Sequence, residues 1–334
     1  MLKTGKLDPD TLRRLLHGRL GVRRDDVAVH ARLGEDAAAI TFGDELCVVS
    51  SDPITGAAAN AGWYAIQVSC NDIAAMGATP VGVLATILLP ESSDESEAVR
   101  LMDEMHGAAL ELGIEILGGH TEVTASANAP ILSLTALGRA PRERLVASGG
   151  GRAGDALVLT KAAAIEGTAI LAADLAPILA PRVGQAILDR ARRFIDELSV
   201  VREGTAAVGL GATAMHDPTE GGVLGALWEL SEAAGLGFEV SAEAIPVRPE
   251  TAQICHALDA DPLRLISSGA LLIACGDPDR MLSGLRQAGV AAACIGRLTA
   301  AERLVRYADG TRPAGPVVRD ELWRVLEAQA GPRA

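Results

Sequence analysis

The sequence predicts a mixed α+β protein of two domains, and three observations predict it. Runs of strand length are mixed with apolar three-and-four spacings of helical length in both halves. A chain of 334 residues is longer than one ordinary domain, and 49% hydrophobic residues supply material for two cores. Near the middle, ASGGGRAGDA at 147–156 carries three consecutive glycines and reads as a linker, because glycine brings no side chain to pack.

In chain order, residues 9–20 form a short amphipathic helix in this reading, and strands follow at 37–42 and 46–50. Residues 62–77 have apolar side chains at Trp63, Ile66, Cys70, Ile73 and Ala74, the spacing of a helix packed on a core. A strand is expected at 81–89 between Pro80 and Pro90, then a helix with a capping box at Ser92 and Glu95 that ends at Gly113. Strands at 114–117 and 131–137 are separated by GGHTEVTASANAP, read as a loop. The second half mixes strands at 156–160, 237–240, 270–275 and 292–295 with helices at 166–173, 184–198, 222–234 and 277–287.

Composition removes several function classes. Aromatic residues are 2% of the chain, too few for base-stacking platforms, and a net charge of −13 speaks against nucleic acid or an anionic membrane as partner. The five cysteines show no CxxC spacing and read as buried, reduced thiols. No signal-type apolar run opens the sequence and no stretch is long enough to span a bilayer, so a cytoplasmic protein is expected.

Acids carry the functional signal. LGEDAAAI (Asp36), SSDPIT (Asp52), CNDIAAMG (Asp72) and GGHTEVT (His120) lie at strand ends or glycine-flanked turns, where a scaffold presents functional groups. Asp72 stands out, because it falls inside an otherwise apolar helix where no cap or dipole favours a carboxylate. Gathered in space, these acids would need a cation, and oxygen ligands without a cysteine or histidine cluster suit Mg²⁺ bridging to phosphate. Taken singly, Asp36 reads equally as a turn residue, Asp52 as a strand end and His120 as a satisfied loop histidine. In MHDPTEGGVLGALWEL, His216, Asp217 and Glu220 precede two glycines that open a helix, either an anion site or a capped helix start. Lys161 in TKAAAIEG reads as a phosphate ligand or a surface lysine, and Glu166 as a first-turn acid.

Taken in order, GEDAA, SSDPIT, NDIAAMGATP, GGHTEVT, GDALVLTK and HDPTEGGVLGALWELSEAAGLGFEV resemble the motif series of the aminoimidazole ribonucleotide synthetase (PurM) superfamily. That superfamily includes selenophosphate synthetase, thiamine-monophosphate kinase and the hydrogenase maturation protein HypE. The resemblance runs from about Gly5 to beyond Ile295, and six motifs in order are specific where one is not. It implies a PurM-like N-terminal domain, residues 1–146, that forms a β-barrel across a homodimer, and a C-terminal α/β sandwich, residues 152–334. It further implies ATP with Mg²⁺ at Asp36, Asp52 and Asp72, nucleotide contacts from Asn71, Gly118, Gly119, His120 and Lys161, and a reacting end at His216, Asp217 and Glu220.

Within the superfamily, DPT-x-GG followed by ELSEAAGLGFEVSAEAIPVRPE is most similar to HypE-like proteins. GGHT and HDPTEGG stand where thiamine-monophosphate kinases commonly show GDT and an aspartate-serine-aspartate-glycine motif. No cysteine precedes Cys47, unlike selenophosphate synthetase. The sequence departs from HypE at two places: it ends AQAGPRA where HypE has a PRIC tail, and Ser268 stands where HypE has the glutamate of NEG. The resemblance therefore implies a HypE-like, ATP-dependent enzyme with a different small-molecule or protein substrate and a possible maturation partner. A thiamine-monophosphate kinase-like enzyme and a non-catalytic ATP-binding scaffold are the alternatives.

Overall fold

A computed structural model describes residues 5–55 and 59–330 of the chain. The closing GPRA, on which the expected lack of a tail cysteine bears, lies outside the described residues, as do the first four.

After helix α1 (Pro9–Leu16), the first part of the chain forms β1 (Val27–Val29), β2 (Ala38–Phe42) and β3 (Glu45–Ile54), then α2 (Ala61–Ala75), β4 (Thr79–Leu89), α3 (Glu95–Leu112), β5 (Glu115–Val123) and β6 (Ile131–Pro141). The six strands make one sheet in the order β1-β2-β3-β6-β4-β5, antiparallel except for β4 beside β5. A second, seven-stranded sheet is built from β7 (Ala156–Thr160), β8 (Ala212–His216), β9 (Gly237–Ser241), β10 (Leu272–Cys275), β11 (Ala292–Thr299), β12 (Arg303–Tyr307) and β13 (Gly310–Pro313). Its order is β13-β12-β9-β11-β7-β10-β8. Around it lie α4 (Ile165–Asp174), α5 (Ala176–Val183), α6 (Gln185–Arg192), α7 (Val201–Leu210), α8 (Gly222–Ala234), α9 (Pro249–Leu258), α10 (Pro278–Gln287) and α11 (Glu321–Ala330). The fold is thus a mixed α+β arrangement of two sheets, as the patterning predicts.

Helix α2 positions the site. Every residue of α2 except Trp63 is buried, because the helix has apolar partners on two sides. Ile66 and Ile73 pack with Val83, Leu132 and Leu134 of the first sheet, while Ala74 and Ala75 pack with Val158, Met215 and Ile273 of the second. A helix apolar all round belongs between layers, so a polar side chain on it must face another helix or a cleft. Helix α8 is buried in the same way, from Gly222 to Ser231.

Four local expectations are corrected. The cap of α3 is Asp94, whose carboxylate accepts the Glu97 N–H, and not a box at Ser92 and Glu95. GGHTEV is strand and not loop: β5 runs through it in register with β4, Gly119 lying so close to Ala85 that a Cβ would meet its carbonyl oxygen at 1.8 Å. The 184–198 helix ends at Arg192 and continues as a 3-10 turn to Glu197. The triple glycine is not a loose linker, for a Cβ at Gly149 would meet Ala233 O at 2.7 Å and one at Gly150 would meet Thr213 O at 2.3 Å. Those glycines are there because the backbone runs tight against α8 and β8, and Gly149 N–H also donates to Glu35.

Candidate active site

A cleft of about 490 Å³ opens between the two sheets, and the acidic motifs holding Asp36, Asp52 and Asp72 converge on it. Asp36 comes from the turn before β2, Asp52 from β3, Asp72 from α2, and His216 and Asp217 from the end of β8. Ser50, two residues before Asp52 and so on the same face of β3, binds them together: its hydroxyl donates to Asp72 and contacts the Asp36 carbonyl oxygen at 3.1 Å. Asp72 is thus explained by position. It is the one carboxylate of a doubly packed helix, and it points into the cleft.

The charges in the cleft are unbalanced. Burial raises Asp72 well above the usual carboxylate range, and Asp52, Asp217 and Asp36 beside it raise it further. Burial likewise pushes Asp217 up to about 8, helped by Asp36 and opposed by His216, and its Oδ2 has no hydrogen-bond partner among the described residues. A buried polar oxygen without a donor is costly. It marks a place where a ligand would be welcome.

Next to these acids stands a line of alternating charge. Lys6 Nζ donates to Glu229 Oε1 at 2.7 Å, Glu229 Oε2 faces His216 Nε2 at 3.1 Å, and His216 Nδ1 faces Asp36. Burial works against the His216 imidazolium, but Asp36 and Glu229 on its two nitrogens outweigh it and raise its pKa well above the ordinary value. Burial also disfavours ionised Glu229, yet Lys6 and His216 hold it at about 2. His216 thus stands between two carboxylates, hydrogen-bonded to Glu229 through Nε2 and ion-paired with Asp36 through Nδ1, and the other Asp36 oxygen takes the Ser148 hydroxyl at 3.3 Å.

The remaining expectations divide. Glu220 and Thr219 line the cleft, but the start of α8 is no anion site. Gly221 N–H goes to Asp320 Oδ2 at 2.6 Å, and the N–H groups of Gly222 and Leu224 go to the carbonyls of Thr219 and Leu263. Asn71 and Lys161 do not line the cleft. Asn71 is fully buried, donating to Leu198 O at 2.8 Å and accepting from Val200 N–H at 2.9 Å. Lys161 gives its protons to the carbonyls of Glu197, Ser199 and Gly269 and pairs with Glu203 at 2.6 Å. Both residues clamp the segment 197–200. Gly118, Gly119 and His120 lie on the exposed edge strand β5, outside the cleft. The His120 side chain is 65% exposed and meets Glu122 at 3.0 Å.

Sequence reasoning missed Ser50, Glu229 and Lys6. Glu229 carries the same signal that marked Asp72, an acid in an apolar helix; Ser50 and Lys6 carry none. Among the described residues no three His, Cys, Asp or Glu side chains converge closely enough to hold a metal by themselves. The donor set nevertheless fits magnesium, which takes one or two carboxylates and completes its shell with water and phosphate oxygens. Among the described residues no helix is long and apolar enough to cross a membrane.

Comparison with known proteins gives the site its setting. Residues 34–140 match the family model described as AIR synthase related protein, N-terminal domain, and residues 152–309 match the corresponding C-terminal domain. The carbamoyl dehydratase HypE of Rhizobium leguminosarum bv. viciae is 28% identical over 284 residues, covering 80% of this chain and 78% of that one. The thiamine-monophosphate kinase of Halobacterium salinarum is 28% identical over 305 residues, covering 88% and 94%. Among solved structures, a HypE–HypF complex superimposes with TM-score 0.74 at 19% identity over 91% of this chain and 99% of the other. HypE in complex with ATP does so with TM-score 0.71 at 22% identity, over 94% and 93%. These likenesses establish the two-domain α+β fold.

Proposed function

Because the chain belongs to the AIR synthase-related protein family, we propose that it is an ATP-dependent enzyme that binds magnesium ATP at the acids of the cleft. It then activates an oxygen of its substrate, by phosphorylation or by ATP-driven dehydration. The observation that carries this reading is the set of buried acids with no matching cation, above all Asp72 and Asp217. The similarity to a carbamoyl dehydratase supports the dehydration branch. The similarity to a thiamine-monophosphate kinase, at the same 28% identity, supports phosphoryl transfer as the alternative.

Asp52 and Asp72, with Asp217 beside them, would hold Mg²⁺, and Asp36 would be kept in place by His216 and Ser148. When bound, magnesium supplies the positive charge that neutralises phosphate oxygens and stabilises a transferring phosphoryl group. The protein's own share is positional. Ser50 sets the Asp72 carboxylate, Lys6 and Glu229 set His216, and the layers on both sides of α2 keep the acids dry. Glu220, with its backbone partner Lys6 at 2.8 Å, stands at the cleft wall where a substrate would approach.

The dimer and the domain division belong to the same proposal. Leu84 on β4 and Leu117 on β5 are 44% and 47% exposed, apolar side chains beside an open strand edge. Such an edge calls for cover, and a second copy completing a barrel would give it, with Gly118–His120 then available to a nucleotide across the interface. The division falls at 1–146 and 152–334, joined through the packed glycines, and a partner protein in metallocentre maturation and a cytoplasmic setting fit the HypE likeness.

Calorimetry of ATP with and without Mg²⁺, followed by assay of ADP release against amides, acyl groups and phosphate monoesters, tests the reading. Magnesium-dependent binding with substrate-stimulated ADP release is expected. Binding without turnover on any acceptor would leave a nucleotide-binding scaffold, and no binding would overturn the proposal.

A further inference from the structure

The cleft has a second acidic group that the nucleotide reading leaves unused. Glu166, in the first turn of α4, is 4% exposed, and its charged neighbours are Asp320 and Glu220, not the aspartates on β3 and α2. Glu220 already accepts the Lys6 N–H, and Asp320 those of Gly221 and Leu322. Glu166 is differently placed. Ser268, fully buried, turns its hydroxyl and its backbone N–H toward the carboxyl, and both favour the ionised form, yet Glu166 Oε2 and Ser268 Oγ themselves have no well-formed hydrogen bond among the described residues. Both line the cleft.

The cations that line the cleft are engaged elsewhere, Lys6 with Glu229, Arg32 with Glu35 and His216 with Asp36 and Glu229. Leaving a buried carboxyl oxygen and a buried hydroxyl open costs stability, yet the fold holds them rigidly. Ala164, at the start of α4, has φ +58°, donates its N–H to Ser267 Oγ at 2.7 Å, and is followed by Gly167 N–H to Ile266 O at 3.0 Å. Helix start and loop are thereby tied together, with Glu166 and Ser268 on the cleft side of the tie.

We propose that Glu166 and Ser268 form the subsite for a cationic nitrogen of the acceptor substrate, a primary ammonium or a guanidinium-like group, with Ile266 as its apolar wall. The inference rests on the reading of this cleft as the nucleotide site, of which it is the acceptor end. A cation supplies the donors that both open oxygens lack, and it meets the negative field of Asp320 and Glu220; a neutral amide would supply only the donors. Burial pushes the Glu166 carboxyl up to about 7, Ser268 opposing and Asp320 and Glu220 adding, with Tyr64 as a further titratable neighbour. A bound cation favours the ionised carboxyl, so affinity rises with pH between about 6 and 8.

The test uses ethylammonium, methylguanidinium and neutral acetamide, titrated at constant ionic strength into the full chain and into Glu166→Gln, followed by tryptophan fluorescence. Each titration is run with and without a non-hydrolysable magnesium ATP analogue. The cations are expected to bind the wild type at least about tenfold more tightly than acetamide, the preference growing from pH 6 to 8 and vanishing in Glu166→Gln. Acetamide binding as tightly as the cations, or a preference that survives Glu166→Gln, would overturn the subsite. Should that variant not unfold cooperatively, Ser268→Ala decides: weaker cation binding with the pH dependence kept supports the subsite, and unchanged binding opposes it. Analogue binding is read in the same samples. Cation preference without analogue binding would sink the nucleotide reading and spare the subsite; analogue binding without cation preference would do the reverse.

Discussion

Asp72→Asn is expected to lower magnesium-dependent ATP turnover by roughly 10²-fold or more while leaving the protein at least as stable as the wild type. The loss follows from removing a charge that would face metal and phosphate, where even outer-shell changes cost up to about 100-fold. The stability follows from the sign of the ionisation. Burial and the neighbouring Asp52, Asp217 and Asp36 raise the Asp72 carboxyl above its ordinary 3.8, so the folded state binds more protons than the unfolded one. Stability then falls as pH rises above that ordinary value, and an amide, which cannot ionise, removes the loss. Asparagine still accepts the Ser50 hydroxyl that now goes to Asp72. Turnover by ADP release and stability by denaturation at pH 5 and pH 8 check both arms, the gain in stability being larger at pH 8. Full turnover in the variant would remove Asp72 from the site, whereas a large stability loss would make it a structural acid. Function held at a cost in stability is the signature of a working group.

Much of this site was legible in the sequence, and the reason is geometric. An acid in an apolar helix has few structural uses, and Asp72 faces the cleft as its setting implied; the same reasoning applied to the apolar helix around Glu229 would have found that residue too. What could not be read is which side chains answer each other across the chain. Glu166 looked like a first-turn acid, and only the fold brings Ser268 beside it from some hundred residues away. The start of α8 looked like a free or self-capped helix N-terminus, and its donors are taken by Asp320, far along the chain, and by the carbonyls of Thr219 and Leu263. The triple glycine looked loose because the sequence does not show what lies opposite, which is the backbone of Ala233 and Thr213. Motif order identified the family, whereas Asn71 and Lys161, which it would put on a nucleotide, lie outside the cleft lining and hold the 197–200 segment.

That last displacement yields the other large effect. Lys161→Met is expected to cost about 3–5 kcal/mol of folding stability, the usual result of removing one partner of a buried ion pair, and to leave the ATP affinity of the folded protein unchanged. Glu203, whose side chain is 2% exposed, would lose its cation, and the carbonyls of Glu197, Ser199 and Gly269 would lose their donor. Asn71 holds the same segment from α2 through Leu198 and Val200. Lys161 and Asn71 thus grip alternate residues of one short strap between the two sheets, so Asn71→Ala and Lys161→Met should be less than additive when combined, as neighbours on a shared element are. Denaturant unfolding of the two single variants and the double variant, beside nucleotide calorimetry, separates the roles. Unchanged stability with weakened ATP binding in Lys161→Met would restore the lysine to the phosphate; lost stability with intact binding would show that this part of the motif series serves to anchor the 197–200 segment.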